Sequence, residues 1–148
     1  MKYMLDTNIC SYIIKNRPLE ILAKFKSIDA DDCVISSIVA AELKYWVARN
    51  KKLHESSGNT GIPKINEQII NQFLYHLLVV DFDIHAAQCY GELRADLEDR
   101  GKLVGNMDLM IAAHAFSLGL VLITNNIKEF KRIPKLQFEN WIKAKTPV

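Results

Sequence analysis

Cysteine is scarce in this chain, and the three present, Cys10, Cys33 and Cys89, are far apart and odd in number. No CxxC pair and no Cys/His spacing suited to zinc occurs, which argues against a disulfide scaffold or a zinc module. Small buried thiols in a reducing compartment are the expectation. Long apolar runs are also missing: no uncharged stretch is long enough to span a bilayer. The first residues reach a charge by Asp6 and hold no cleavable apolar region, so neither a membrane nor an export signal is expected and the chain reads as cytoplasmic. Charge of one sign does not dominate, and a net charge of +2 is too mild to establish nucleic-acid binding. Internal repeats are absent.

What is present is an ordinary globular composition, with 49% hydrophobic and 24% charged residues in 148. That length suits a single domain over residues 1–148 with one core. Charge is segregated along it: from Lys128 onward six bases face two acids, and from Asp81 to Asp108 seven acids face three bases. A basic tail can lie along phosphates, although a solvated surface of mixed charge explains the same pattern.

Short apolar strands alternate with helical stretches. Lys2–Leu5, Cys33–Ile35, Leu78–Val80 and Leu120–Thr124 read as strands, and Leu136–Phe138 as a final edge strand with Trp141 packed nearby. Between them, helices are expected after the cap residues Thr7 and Asn8, from Pro18, after a Ser36 or Ser37 cap to about Arg49, from Ile65 to Leu78, from about Asp83 to Arg100, and from Met107 to Leu118 behind an Asn106 cap. The Ser-, Gly-, Asn- and Lys-rich stretch at 51–64 reads as a helix tail followed by a flexible loop. Continuous apolar strands alternating with helices indicate an α/β fold whose central, mainly parallel sheet is covered on both faces.

In such sheets ligands bind outside the carboxyl ends of the strands. Asp6 sits at one such end, Glu42 on the helix after the second strand, Asp108 in the first turn of a later helix, and Asn125 and Asn126 just past the strongest strand. Four separate segments can thus bring oxygen ligands to one edge. Mg²⁺ and Mn²⁺ prefer such oxygens, and metal-assisted phosphodiester hydrolysis uses them. Each acid also has a plainer reading. Asp6 can help Thr7 and Asn8 cap a helix, Glu42 can be a solvated helix residue, and Asp108 suits the positive end of a helix dipole. His114 reads as a packed, hydrogen-bonded histidine, Arg94 as half of an ion pair, Asp96 and Asp99 as solvated surface, and Tyr45 and Trp46 as core or partner-facing.

Sequence context weighs further. Met4-Leu5-Asp6-Thr7-Asn8 resembles the opening motif of PIN domains, and Ser37 through Ala41-Glu42-Leu43 the second. Tyr90-Gly91-Glu92-Leu93-Arg94 with Gly105-Asn106-Met107-Asp108 through His114-Ala115 resembles the third, and Leu122 through Asn126 with Glu129-Phe130 the fourth. In this order and spacing, over nearly the whole chain, they resemble the VapC toxins of bacterial toxin–antitoxin pairs. The resemblance implies a three-layer α/β/α PIN-like fold and Mg²⁺- or Mn²⁺-dependent cleavage of RNA. Transfer RNA, initiator transfer RNA at its anticodon loop in particular, is a candidate substrate. Asp6 and Asp108 match the principal metal ligands and Glu42 a supporting carboxylate, with Thr7, Asn8, Asn126 and Glu129 in supporting roles. Asn126 stands where many PIN domains carry an aspartate, which leaves second-metal binding open, and Glu129 can supply the missing charge. The resemblance further implies a homodimer and a VapB-like antitoxin, which would itself carry operator DNA binding. Ile13, Ile14, Leu22 and the helix bearing Tyr45 and Trp46 are candidates for its groove. A non-catalytic PIN-type nucleic-acid-binding or scaffolding module is the alternative.

Overall fold

The computed structural model describes residues 1–16, 18–56 and 61–142. Five strands, β1 (Tyr3–Leu5), β2 (Cys33–Ser36), β3 (Leu78–Val80), β4 (Val121–Ile123) and β5 (Phe138–Glu139), form one sheet in the order β3-β2-β1-β4-β5. Every pairing is parallel, with Met4 opposite both Val34 and Leu122. Parallel neighbours need crossover connections, and helices supply them: α1 (Thr7–Ile14), α2 (Leu19–Ser27), α3 (Ser37–Ser56), α4 (Glu67–His76), α5 (Ile84–Asp99), α6 (Asn106–Ser117) and the short α7 (Ile127–Phe130). The result is a three-layer α/β/α domain. Among the helices, α1 packs against α2, α3 and α4, α5 packs against α6, and α3 also meets α6.

The central strands are mostly apolar because both faces of the sheet are covered there. Met4, Leu5, Val34, Ile35, Leu122 and Ile123 are closed to solvent. The short β5 is an edge strand, as expected, and the Trp141 beside it meets the Tyr3 ring edge-on at 5.4 Å. Among the described residues no helix is long and apolar enough to cross a membrane. Cys10 and Cys33 are buried free thiols; Cys89 is partly exposed.

Several helix starts differ from the sequence reading by one residue. Asp6, not Thr7 or Asn8, caps α1: its backbone is extended and its Oδ1 accepts the Ile9 N–H at 2.8 Å. Gly105 rather than Asn106 precedes α6. Pro18 stands just before α2 and leaves Leu19 outside the core, where Ile21 packs instead. The helix placed to about Arg49, with its tail after Lys51, runs as α3 to Ser56, and of the loop expected beyond it residues 57–60 lie outside the described residues. Beyond them the chain is irregular but pinned: the buried Asn50 side chain donates to Pro63 O at 3.0 Å and accepts from Ile65 N at 2.9 Å. This pinned segment forms one wall of an open cleft of about 520 Å³, lined also by Ile14, Leu43, Trp46, Ile69 and Ile70.

From β1 the chain crosses to β2 and β3 on one side; β4 and β5 lie on the other. The strand order therefore reverses between β1 and β4, and the carboxyl ends of these two strands open the crevice where such sheets bind ligands.

Candidate active site

Asp6 leaves the carboxyl end of β1 and Thr124 leaves that of β4, so the switch point places them side by side. The Asp6 N–H donates to Ile123 O at 3.0 Å, continuing the ladder one residue past the strand. Asp6 is 4% exposed. Burial raises its carboxyl above the usual carboxylate range, and the Glu42 charge adds to this; hydrogen bonds from the Thr124 side chain and the Ile9 and Asn8 backbones oppose the rise.

Glu42 reaches the same place from α3. Its Oε1 accepts the Thr7 hydroxyl proton at 2.7 Å, a bond between residues 35 apart in sequence. Thr7 is itself buried. Thr7 thus aims one carboxylate oxygen of Glu42.

Asp108 enters from the first turn of α6. Its carboxyl is pushed up to about 6, first by burial and then by the charges of Glu129, Asp6 and Glu42, while a hydrogen bond from Asn126 pulls it down. Each of the three expected acids is therefore felt by another, which ties three distant segments to one pocket. The helix-dipole reading of Asp108 is the weaker one, since a purely capping carboxylate would sit below its ordinary value, not above it.

Asn126 and Glu129 form a latch at the rim. Asn126 Nδ2 donates to Glu129 Oε2 at 2.6 Å, and Glu129 Oε1 accepts the Gly105 N–H, also at 2.6 Å, just ahead of α6. The latch holds Asn126 and Glu129 beside Asp108. The remaining supporting candidate, Asn8, is exposed, and its traceable contribution is the backbone N–H turned toward Asp6. Asn125 points elsewhere, accepting from Asn140 Nδ2 at 3.0 Å.

Sequence reasoning places Thr124 in the fourth motif but gives it no role. It is fully buried, bonds Asp6 and accepts the Asn126 N–H at 2.9 Å, so it connects the acid on β1 to the latch. The available signal was its place directly after the most apolar strand. The other readings hold: Arg94 pairs with Glu98 at 2.9 Å, Asp96 with Arg100 at 2.7 Å, and His114 is buried and hydrogen-bonded. Among the described residues no three His, Cys, Asp or Glu side chains form a ready-made cage for a metal ion.

The Thr7–Glu42 bond gives a direct test. Thr7→Val keeps the shape and removes the hydroxyl, and a hydrogen bond to a charged acceptor is worth about 1.5–3 kcal/mol. The RNA cleavage that the sequence resemblance implies is expected to fall about tenfold with substrate affinity little changed, read as kcat against KM. Unaltered turnover would show that the orientation of Glu42 is immaterial.

A parallel sheet with carboxylates gathered at its switch point defines a class, and the PIN-domain pattern matches residues 3–136. Ribonuclease VapC2 of Rickettsia felis is 46% identical over 97% of this chain and 100% of its own length. The tRNA(fMet)-specific endonuclease VapC of Salmonella typhimurium is 40% identical over 95% of this chain and 98% of its own. The crystal structure of VapBC2 from Rickettsia felis bound to a DNA fragment from its promoter contains a chain that superposes with a TM-score of 0.80. That chain is 43% identical, and the match covers 96% of this chain and all of that one. The present chain belongs to the VapC ribonucleases of the PIN-domain family.

Proposed function

We propose that this protein is the toxin of a toxin–antitoxin pair and hydrolyses RNA at the pocket formed by Asp6, Glu42 and Asp108 with a divalent cation, Mg²⁺ or Mn²⁺. The observation that carries the reading is the gathering of acids from separate segments at the β1–β4 switch point, Asp6 at the end of β1, Glu42 tied to Thr7 at 2.7 Å, and Asp108 beside the Asn126–Glu129 latch, with burial and the neighbouring charges raising the Asp108 carboxyl. Mutual repulsion of this kind costs stability unless a cation neutralises it.

The donor set fits a hard ion. Every candidate ligand offers oxygen, and magnesium is commonly held by one or two carboxylates plus water rather than by a complete protein cage. Asp6 and Asp108 would hold the ion, with Glu42 supporting. Bound there, it would lower the pKa of a water and neutralise charge on the scissile phosphate. The chain's own residues do the rest. Thr124 and the α1 backbone fix Asp6, Thr7 fixes Glu42, and the Asn126–Glu129–Gly105 latch fixes the entry to α6 and hence Asp108. Asn126 offers a neutral oxygen where a fourth acid would add charge, so Glu129 is the remaining source of charge for a second ion.

The substrate class follows the relatives: one is a ribonuclease by name and another a tRNA(fMet)-specific endonuclease. We assign transfer RNA as the substrate to test first, acting in the cytoplasm. Basic side chains such as Lys128, Lys131 and Lys135 would follow the phosphates; Lys143 and Lys145 lie outside the described residues. The partner is a VapB-like antitoxin, through which operator DNA is reached, and the toxin is a homodimer. The cleft lined by Ile14, Trp46 and Ile69 suits an amphipathic antitoxin segment. Of the other groove candidates, Ile13 is core and unavailable, and Leu22 is only partly exposed. A non-catalytic module gains no support: Asp6, Glu42 and Asp108 are all retained and the relatives are named as nucleases.

Sequencing RNA ends after induced expression in cells, with Asp108→Ala as control, tests the reading. New ends at a small set of positions, absent with Asp108→Ala, are expected. The same ends from both proteins, or none from either, would refute it.

A further inference from the structure

His114 has no part in the pocket described above, yet it is nearly closed to solvent, at 1% exposure, deep in α6. Its Nδ1 lies 2.8 Å from the Oγ of Ser36, a residue 78 positions earlier that is also fully buried. Ser36 ends β2 and caps α3, accepting the Ile38 N–H at 3.1 Å. The Phe82 ring packs edge-on against the imidazole at 5.5 Å, while the Phe82 N–H donates to Ser37 Oγ at 3.0 Å. Burial lowers the pKa of His114, against smaller opposing effects of Asp83 and Asp81, so the ring is neutral. A neutral imidazole bonds the Ser36 hydroxyl in either tautomer.

Serine, histidine and nearby acids have the composition of a hydrolytic triad, but both Ser36 and His114 are sealed from any substrate. Their position says what they do instead. Glu42 lies six residues beyond Ser36 on α3, and Asp108 six residues before His114 on α6, each about 9 Å along its helix at 1.5 Å per residue. The bond is thus a cross-brace between the two helices that carry these acids. With such a lever arm, a tilt of about 6° at the brace moves a carboxylate about 1 Å, enough to cost on the order of a hundredfold in a site that depends on placement.

We propose that His114 is a positioning residue: through its buried hydrogen bond to Ser36 it locks α6 to the start of α3 and so sets the distance between Asp108 and Glu42. The inference rests on the metal-site reading above, and its test separates the two. Full-length protein is titrated with Mn²⁺, the free ion is followed by electron paramagnetic resonance, and thermal unfolding is recorded for each variant. His114→Phe keeps the bulk and loses the bond; Ser36→Ala loses it from the other side. His114→Asn places an amide where Nδ1 stood and keeps the bond while losing ring packing.

His114→Phe and Ser36→Ala are each expected to weaken Mn²⁺ binding about tenfold, the low end of what partners behind a metal ligand contribute. The double variant should be no weaker than either single one. His114→Asn should bind Mn²⁺ like the unaltered protein even where its melting temperature falls. In cleavage, kcat should drop for the first two with KM for RNA little changed. If the unaltered protein binds Mn²⁺ and folded Ser36→Ala or His114→Phe binds it equally well, the brace does not position the acids and the inference fails alone. If the unaltered protein does not bind Mn²⁺, the metal reading falls and takes the inference with it.

Discussion

Asp6→Asn is expected to abolish RNA cleavage while leaving the fold intact. The two halves of that expectation come from the two jobs of one side chain. As a cap, Asp6 supplies an oxygen to the Ile9 N–H. Asparagine caps helices about as well as aspartate, and its amide can still meet the Thr124 hydroxyl. In the proposed metal site, Asp6 would supply a charge, and a neutral amide holds a hard cation poorly. Partners behind a metal ligand are worth about 10–100-fold, so a ligand itself should exceed that, with turnover falling by at least about a hundredfold. Asp6→Ala would confuse the issue, because it also removes the cap at a cost of about 1 kcal/mol. The measurement is single-turnover cleavage beside circular dichroism and melting temperature. A cleanly folded Asp6→Asn protein that still cut RNA would remove Asp6 from the chemistry.

The second large effect concerns pH and Asp108. Its folded pKa of about 6 lies above its ordinary value of 3.8. The folded chain therefore holds more protons than the unfolded chain between those values. Its contribution to stability is complete below about pH 4, declines as pH rises through about 6, and is absent above. Asp108→Asn removes the repulsion and should stabilise the metal-free protein at pH 7.5 by about 1–2 kcal/mol, after allowance for partial solvent exposure. At pH 4 the two proteins should melt together. Divalent cations reverse the order: at a hundred times the dissociation constant, binding adds about 2.7 kcal/mol to the unaltered protein, and the variant should gain far less. Metal affinity should rise from pH 5 to 7, since binding displaces the Asp108 proton. An Asp108→Asn protein that was less stable without metal, or gained as much from it, would contradict the account.

The strands were legible because a doubly covered parallel sheet demands unbroken apolar runs, and Met4-Leu5, Val34-Ile35 and Leu122-Ile123 are such runs. The cap of α1 was not. Asp6, Thr7 and Asn8 are all competent caps, and the ladder bond from Asp6 N to Ile123 O, a long-range contact, fixes how far the strand extends before the helix begins. The start of α6 escaped for a similar reason: Gly105 is held by Glu129, 24 residues away. Local preference favours Asn106 as a cap, and a distant carboxylate overrides it. The three acids could be named from motif order, but their convergence could not be derived from spacing, because it depends on strand order. Thr124 is legible only as part of the fourth motif, because its place beside an apolar strand does not reveal its hydrogen-bond partners.

The strand order also has a temporal side. β1 is made first, yet one of its two flanking strands, β4, comes from residues 121–123. A ribosome adding about 5–20 residues per second completes Asp6 and Glu42 many seconds before it completes the strand that closes the crevice around them, and Asp108 appears only shortly earlier. A chain that has not yet reached β4 therefore carries its first two acids without the strand that completes the crevice beside them. The crevice is completed in one step, when β4 pairs with β1 and brings Thr124 against Asp6.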